Sequence, residues 1–240
     1  MTLYSYTKTR HHRSPKHFRR LFSFGAIFSG LVILGWVLYP ILSFEIIYAP
    51  QFGSLIQPVP EDNLKQVVSM ELSQILGLTT TDYTKASVWF PKAANVVKLP
   101  PTNSNSVYTL SIPKLNIEQA QVKVGGEDLA KNLIHYTGPL PGKTGNPVIF
   151  GHSTIPLIYN PKDYKTIFTK LQELKKGDEI FTTVDSITYR YRVFDMKVVT
   201  PDALSVLEQN SDDSYITLIT CVPPGTYLKR LVVKGKLANL

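Results

Sequence analysis

From Val107 to the carboxyl end, the sequence alternates between short β-prone runs and segments rich in glycine, proline, asparagine and aspartate. The runs are VYTLSIP, QAQVKV, NPVIFG, DEIFTTV, SITYRYRVFDMKVV, YITLITC and LKRLVVKGKL. Strands of this length and spacing are typical of a β-barrel or a β-sandwich. Two patterns with helical spacing interrupt them, EDLAKNLIHY and DYKTIFTKLQEL. Residues 107–240 are therefore predicted to form one mainly β domain with short helices.

Residues 21–44 are a continuous run of 24 residues without a charged side chain. As a helix the run would be about 36 Å long, which exceeds the ~30 Å hydrocarbon core of a bilayer. A buried core helix and a cleaved signal peptide are the alternatives. A signal peptide, however, usually has an apolar region of only ~7 to 15 residues followed by a small-residue cleavage site. We predict one transmembrane signal anchor over residues 21–48.

The net charge of +8 is concentrated at the amino terminus. Residues 1–20 carry six basic and no acidic side chains, which leaves 20 basic against 18 acidic residues in the rest of the chain. Because basic residues flank the cytoplasmic side of a membrane span, residues 1–20 are predicted to be a cytoplasmic tail, with everything after about residue 50 outside. No basic stripe indicates nucleic-acid binding. The predicted partner of this region is the lipid bilayer.

Residues 49–106 are predicted to be an extracytoplasmic stem. Apolar residues at helical spacing indicate one short amphipathic helix, ended by Gly77: Leu64, Val67, Val68, Ile75 and Leu76. The remainder, from Thr79 to the segment LPPTNSNS, is typical of a spacer.

Cys221 is the only cysteine in the chain and directly follows the β-prone run YITLIT. One cysteine cannot form an internal disulfide, and no zinc-type Cys/His spacing exists, so we predict no metal and no cofactor. Two interpretations stay open for the thiol. It is either an inert packed core cysteine or a nucleophile at a strand end, because the following segment VPPG ends the strand in a tight loop.

A cysteine nucleophile needs a base or a cation nearby. His152 in GNPVIFGHST stands just after a predicted strand, whereas His135 in LIHYTG could simply be a packed histidine at a helix end. Arg230 follows Cys221 by nine residues, on the next predicted strand, and can return beside it. The alternative for Arg230 is a solvent-facing position on an edge strand.

The strand TLITC, the later arginine and the upstream GNPVIFGHS together resemble the sortases, membrane-anchored cysteine transpeptidases of Gram-positive and related bacteria. The resemblance covers about residues 107–238 and implies a closed, roughly eight-stranded β-barrel. It implies that Cys221 is the nucleophile, that His152 is the general acid and base, and that Arg230 binds the substrate backbone or oxyanion. Thr220 would help to shape the substrate groove, and His135 would have a secondary role.

The implied reaction is cleavage of an LPXTG-like motif in surface-protein substrates and transfer to an amine acceptor, such as a peptidoglycan precursor or a pilin lysine. Pilus-building sortases often have an Asp-Pro-aromatic lid and a second membrane span. This sequence has Trp89, Phe90 and Pro91 without that order and ends at Leu240, which favours attachment to the cell wall. Some sortases use calcium, but no acidic cluster indicates it. A thiol endopeptidase and a non-catalytic tethered binding barrel are the alternatives.

Overall fold

The computed structural model describes residues 16–54, 82–93, 106–209 and 212–238. The predicted stem helix lies outside these residues. The chain divides into two units, Met1–Tyr39 and Pro40–Leu240.

Helix α1 runs from Lys16 to Ser43. Within the described part of the chain, its segment Phe22–Tyr39 is the one helical stretch long and apolar enough to cross a membrane, with a mean hydropathy of 1.9. None of that segment is buried against protein. A helix suits the hydrocarbon core because it satisfies its own backbone hydrogen bonds. A π-helical turn, Phe44–Tyr48, and a 3-10 turn, Ala49–Gln51, follow α1.

The second unit is a β-barrel whose sheet closes on itself. The strands are β1 Gly53–Ser54, β2 Val107–Ile112, β3 Ile117–Val124, β4 Leu133–Thr137, β5 Val148–Phe150, β6 Glu179–Val184, β7 Ile187–Val199, β8 Tyr215–Val222 and β9 Lys229–Leu237. Their order is β1-β7-β6-β2-β3-β4-β5-β8-β9, and β7 also pairs with β9. That last pairing closes strands β2–β9 into a barrel of eight strands, while β1 adds to β7 from outside. The predicted mainly β barrel is confirmed.

Besides the two turns that follow α1, the described short helices of this unit are single 3-10 turns: Ala86–Val88, Pro113–Leu115, Pro156–Ile158, Leu171–Glu173 and Leu204–Leu207. The segment 163–174, predicted to be a helix, is instead a series of turns followed by the 3-10 turn Leu171–Glu173. Of the five apolar residues at helical spacing in this segment, Ile167, Phe168, Leu171 and Leu174 are buried and Tyr164 is half-buried. The sequence pattern therefore predicted the burial correctly and the backbone incorrectly.

The predicted helix over 127–136 is wrong, because Leu133–Thr137 is strand β4. All five of its residues are buried. A strand covered on both faces has a continuous apolar pattern that cannot be told from a helix by its period. Two buried clusters cover the two faces of β4. One lies inside the barrel and the other on its outer wall.

The outer cluster covers β5, β8 and β9. Side chains alternate along these strands, so that Leu218 and Leu231 belong to the inner cluster, whereas Cys221 and Val232 belong to the outer one. Residues 82–93, within the predicted stem, lie on this outer wall and contribute Ala86, Trp89, Phe90 and Ala93. We call residues 82–93 the covering segment.

His135 is fully buried on β4. Its Nδ1 lies 3.0 Å from the Tyr108 hydroxyl, and its Nε2 lies 3.1 Å from the Gly138 carbonyl oxygen. The carbonyl can only accept, so Nε2 carries the proton and Nδ1 accepts from Tyr108. Burial lowers the pKa of His135 to about 4, although bonds to the Gly138 and Thr137 backbone act in the opposite direction. The neutral imidazole is therefore a structural part of the barrel.

Acid should destabilise the barrel through His135. Its pKa is about 4 in the folded protein against 6.5 when unperturbed, so the unfolded chain binds the proton first. The stabilisation is complete above pH ~6.5 and is lost as the pH falls to ~4, at a cost of roughly 3 kcal/mol. Urea unfolding of the full chain in detergent at a series of pH values measures this loss.

The control for this titration is His135→Gln, which is neutral at every pH in the range. Its free energy of unfolding should be lower at neutral pH, because a hydrogen-bonded buried group is replaced, but flatter between pH ~6.5 and ~4. A wild-type curve as flat as that of the variant would show that another group dominates.

Candidate active site

Cys221 and Arg230 lie directly opposite each other on adjacent antiparallel strands. Cys221 on β8 pairs with Arg230 on β9, and Arg230 also pairs with Val199 on β7. Residues in direct register have Cβ atoms about 4.5–5.5 Å apart and project from the same face of the sheet. Both side chains are therefore on the outer wall of the barrel, where both are buried.

His152 reaches this wall because β5 runs parallel to β8. Three hydrogen bonds join the segment after β5 to the end of β8. The Gly151 amide donates to the Ile219 carbonyl at 3.1 Å, and the Thr220 hydroxyl donates to the Gly151 carbonyl at 2.8 Å. The Ser153 hydroxyl donates to the Cys221 carbonyl at 2.6 Å. These bonds fix the backbone on both sides of His152 against the strand that carries the thiol.

Trp89 of the covering segment lies over the histidine. Its ring stacks on Phe150 at 5.3 Å between centroids and meets the His152 ring edge-on at 5.8 Å. His152 is only 6% exposed, and its Nε2 has no hydrogen-bond partner among the described residues. The imidazole is thus shielded from water with one nitrogen available for a new bond.

Arg230 is a buried cation held by backbone carbonyls. Its Nη1 donates to the carbonyls of Tyr227 at 2.9 Å and Lys229 at 3.2 Å, and its Nη2 donates to the Trp89 carbonyl at 3.0 Å. The guanidinium carbon also lies 5.4 Å from the Trp89 ring centre. Among the described residues no ion pair includes Arg230. The positive charge is met by backbone dipoles and by the faces of Trp89 and Phe90, not by a carboxylate, and the buried Nε has no hydrogen-bond partner among the described residues.

The covering segment is attached along its length. At one end, the Tyr83 ring stacks on Tyr227 of the β8–β9 loop at 4.0 Å. In the middle, the Ala86 amide donates to the Glu127 carbonyl at 3.0 Å. At the other end, Lys92 pairs with Asp202 at 3.0 Å, although both side chains are well exposed and such a pair contributes little. Aromatic packing is therefore the main attachment over the site.

Burial keeps both reactive groups neutral in this arrangement. It raises the pKa of the Cys221 thiol to about 11, and the nearby Arg230 only partly opposes that rise. It also lowers the pKa of His152, against the opposing charges of Asp82 and Asp128. A neutral thiol and a neutral imidazole on the same wall are a resting state, because the thiolate is the nucleophile.

The structure thus brings together Cys221, His152 and Arg230 and separates His135 from them. His135 belongs to β4, where its ring nitrogen lies beside the hydroxyl of Tyr108 of the inner cluster. The predicted groove residue Thr220 is buried and its hydroxyl is bonded to Gly151. Sequence reasoning missed Ser153 and the covering role of Trp89. The pair Trp89–Phe90 was the available signal, since adjacent large aromatics are unusual in an exposed spacer.

Within the described ranges, no group of three or more His, Cys, Asp or Glu side chains could hold a metal ion. The chemistry the arrangement can perform is covalent catalysis: a thiol, a base and an oxyanion-binding cation on one wall.

Comparison with known proteins agrees with this chemistry. Residues 110–238, more than half of the chain, match the Sortase domain family. The chain is 32% identical over 154 residues to Sortase A of Bacillus anthracis, covering 62% of this chain and 68% of that protein. It is 27% identical over 150 residues to Sortase D of Bacillus subtilis strain 168, covering 60% and 70%. Sortase C-1 of Actinomyces oris superposes with a TM-score of 0.51 at 25% identity, covering 75% and 100%. The chain therefore belongs to the sortase family.

Proposed function

We propose that this sortase cleaves an LPXTG-like motif of surface proteins through a thioester on Cys221 and transfers the product to an amine. Sortases are cysteine transpeptidases, which supports the reaction class. The observation that carries the proposal for this chain is the meeting of Cys221, His152 and Arg230 on one wall.

In the proposed cycle, His152 takes the proton of the Cys221 thiol, and the thiolate adds to the carbonyl carbon of the motif threonine. The carbon–nitrogen bond then breaks as His152 returns the proton to the departing amine, which leaves a thioester. An acceptor amine adds to the thioester and gives a proton to His152. The carbon–sulfur bond breaks and a new amide forms. The released thiolate then takes the proton back from His152, which restores the neutral thiol and imidazole.

Arg230 is proposed to bind the substrate backbone or the oxyanion formed in each addition. The bond from its Nη2 to the Trp89 carbonyl supports this role, because a substrate carbonyl offers the same acceptor. A substrate that displaced the covering segment could take over that bond without leaving the buried cation unpaired. Thr220 and Ser153 are proposed to act indirectly by fixing the backbone around the thiol and the imidazole.

The proposed setting is the outer face of a membrane. Sortases are membrane-anchored, and the segment Phe22–Tyr39 meets the length and composition of a span. The six basic residues of the amino-terminal tail favour its cytoplasmic placement, with residues 49–106 as stem and residues 107–240 as catalytic domain. The proposed acceptor is an amine of a peptidoglycan precursor or a pilin lysine.

The reaction is tested by incubating the full chain with LPXTG-like peptides and measuring the protein by mass spectrometry. We expect an added acyl mass on Cys221 and an amine-dependent shift from hydrolysed to transferred product. Cys221→Ala keeps the strand but lacks the thiol, so it should give neither adduct nor product. Product that does not respond to amine would indicate a thiol endopeptidase. A thiol alkylated only after unfolding, without any adduct, would indicate a binding barrel.

Trp89→Ala should expose the site and make Cys221 more reactive. Because burial is the main cause of the pKa of about 11, hydration of the thiol should bring it back toward the ordinary value and increase the thiolate fraction at neutral pH. A fall of about two units corresponds to roughly 10²-fold faster alkylation. The measurement is the rate of iodoacetamide labelling of the folded protein.

The matched control is Trp36→Ala, at the only other tryptophan, which is exposed within the apolar segment. It should label at the wild-type rate. Equal rates in wild type and Trp89→Ala, with both proteins folded by circular dichroism, would show that Trp89 does not shield the thiol.

Arg230→Lys should fail nearly as badly as Arg230→Ala in peptide turnover. Only the planar guanidinium can donate in parallel to two carbonyl oxygens, whereas lysine supplies a point charge. We expect kcat/KM to fall by ~10² to 10³-fold in both variants, the loss typical of an oxyanion donor. The alkylation rate of Cys221 should stay near the wild-type value in Arg230→Lys alone, because a cation remains nearby. Near wild-type turnover in Arg230→Lys would reject the directional role.

A further inference from the structure

The uncharged run that contains the proposed membrane span ends inside the barrel unit. Phe44 is its last residue, and it is 1% exposed within the same hydrophobic cluster as Val222 and Leu231. A span needs about 20 residues, and the run has 24. The run is therefore about four residues longer than a span needs, and its last residue packs in the core of the barrel unit.

Two further contacts attach the residues after the run to β9, which carries Arg230, and to its neighbour β7. Glu45, the first charged residue after the run, pairs with Lys229 at 3.2 Å. Strand β1 pairs in parallel with Lys197 and Val198 on β7, next to Val199, the register partner of Arg230. Residues 44–54 are therefore fixed to the catalytic end of β7 and β9.

Chain length limits how far this end can lie from the end of the apolar segment. Six residue steps separate Tyr39 from Glu45, and even a fully extended chain covers at most ~22 Å over six residues. Part of that distance is helical, since α1 continues to Ser43, and a helix rises only ~1.5 Å per residue. If the segment spans a bilayer, Lys229 lies close to the bilayer surface.

Exposed apolar side chains occur on both sides of the Glu45–Lys229 pair. Ile46 and Ile47 are 72% and 53% exposed, and Tyr227 and Leu228 are 45% and 46% exposed. We call these four residues the juxtamembrane patch. Isoleucine and leucine side chains enter the boundary between headgroups and acyl chains, and tyrosine favours the interface itself.

We infer that the juxtamembrane patch rests on the lipid bilayer and holds the catalytic end of the barrel at the membrane surface. The inference rests on the membrane anchor of the proposed function. Tyr227 also provides a carbonyl for Arg230 and a ring for Tyr83, so the loop that touches lipid is the loop that holds the active site. The enzyme would then act on peptide segments presented within a few residues of the bilayer.

Site-directed spin labelling of the full chain in vesicles tests this contact. A nitroxide is placed on Leu228→Cys, in a Cys221→Ala background so that no other thiol reacts, and vesicles contain equal parts phosphatidylglycerol and phosphatidylcholine. The matched control is Ile187→Cys, another exposed aliphatic position at the opposite end of β7. That 13-residue strand extends roughly 40 Å. Collisions with oxygen, which enters lipid, and with a water-soluble nickel chelate are compared.

The label at 228 should collide severalfold less often with the nickel chelate than the label at 187 does. Its collision rate with oxygen should be higher. Ile46→Cys gives a second readout of the same patch and should behave like 228. Equal nickel access at 228 and 187 would overturn the inference. A label on Trp36→Cys separates the two failures: if it lies in hydrocarbon while 228 is open to water, only the patch is refuted. If 36 is also open to water, the anchor itself is refuted.

Discussion

The pairing of Cys221 with Arg230 across β8 and β9 is the constraint on which the active site depends. Both side chains project from the outer wall because they stand in direct register, and a slip of one residue would turn one of them into the barrel. The register is secured from both sides, since β9 also pairs with β7 over most of its length and closes the barrel. Closure of the sheet therefore fixes the Arg230 cation opposite the Cys221 thiol.

The second requirement is that the buried guanidinium has hydrogen-bond acceptors but no carboxylate partner. A carboxylate beside Arg230 would form an ion pair that a neutral substrate carbonyl could not displace without leaving a buried charge. Three backbone carbonyls and two aromatic rings contact the same cation through weaker, exchangeable interactions, and its Nε stays unpartnered among the described residues. Binding of the covering segment and binding of substrate are thus compatible with the same arginine, which needs no rearrangement of its own strand.

Sequence reasoning identified seven of the barrel strands because their alternation and turn residues are local signals, and it proposed Cys221, His152 and Arg230 because their motifs are local too. It missed β4 because a strand buried on both faces loses its alternation. It placed residues 82–93 in a spacer because their burial depends on Phe150 and Arg230, which are distant in sequence. It gave His135 only a secondary role by motif, and the strand order is needed to assign that residue to the inner wall and Cys221 to the outer one.

The covering segment affects both the access to the site and the protonation states of Cys221 and His152. Burial is the largest cause of both pKa shifts, and it acts in opposite directions on the two groups: it raises the pKa of Cys221 and lowers that of His152. Hydration on removal of the segment therefore moves both pKa values toward each other and favours transfer of the proton from sulfur to nitrogen. Once formed, thiolate and imidazolium stabilise one another, so they titrate as a coupled pair and not as independent groups. In the proposed function, a substrate that displaced the covering segment would therefore also raise the thiolate fraction of Cys221.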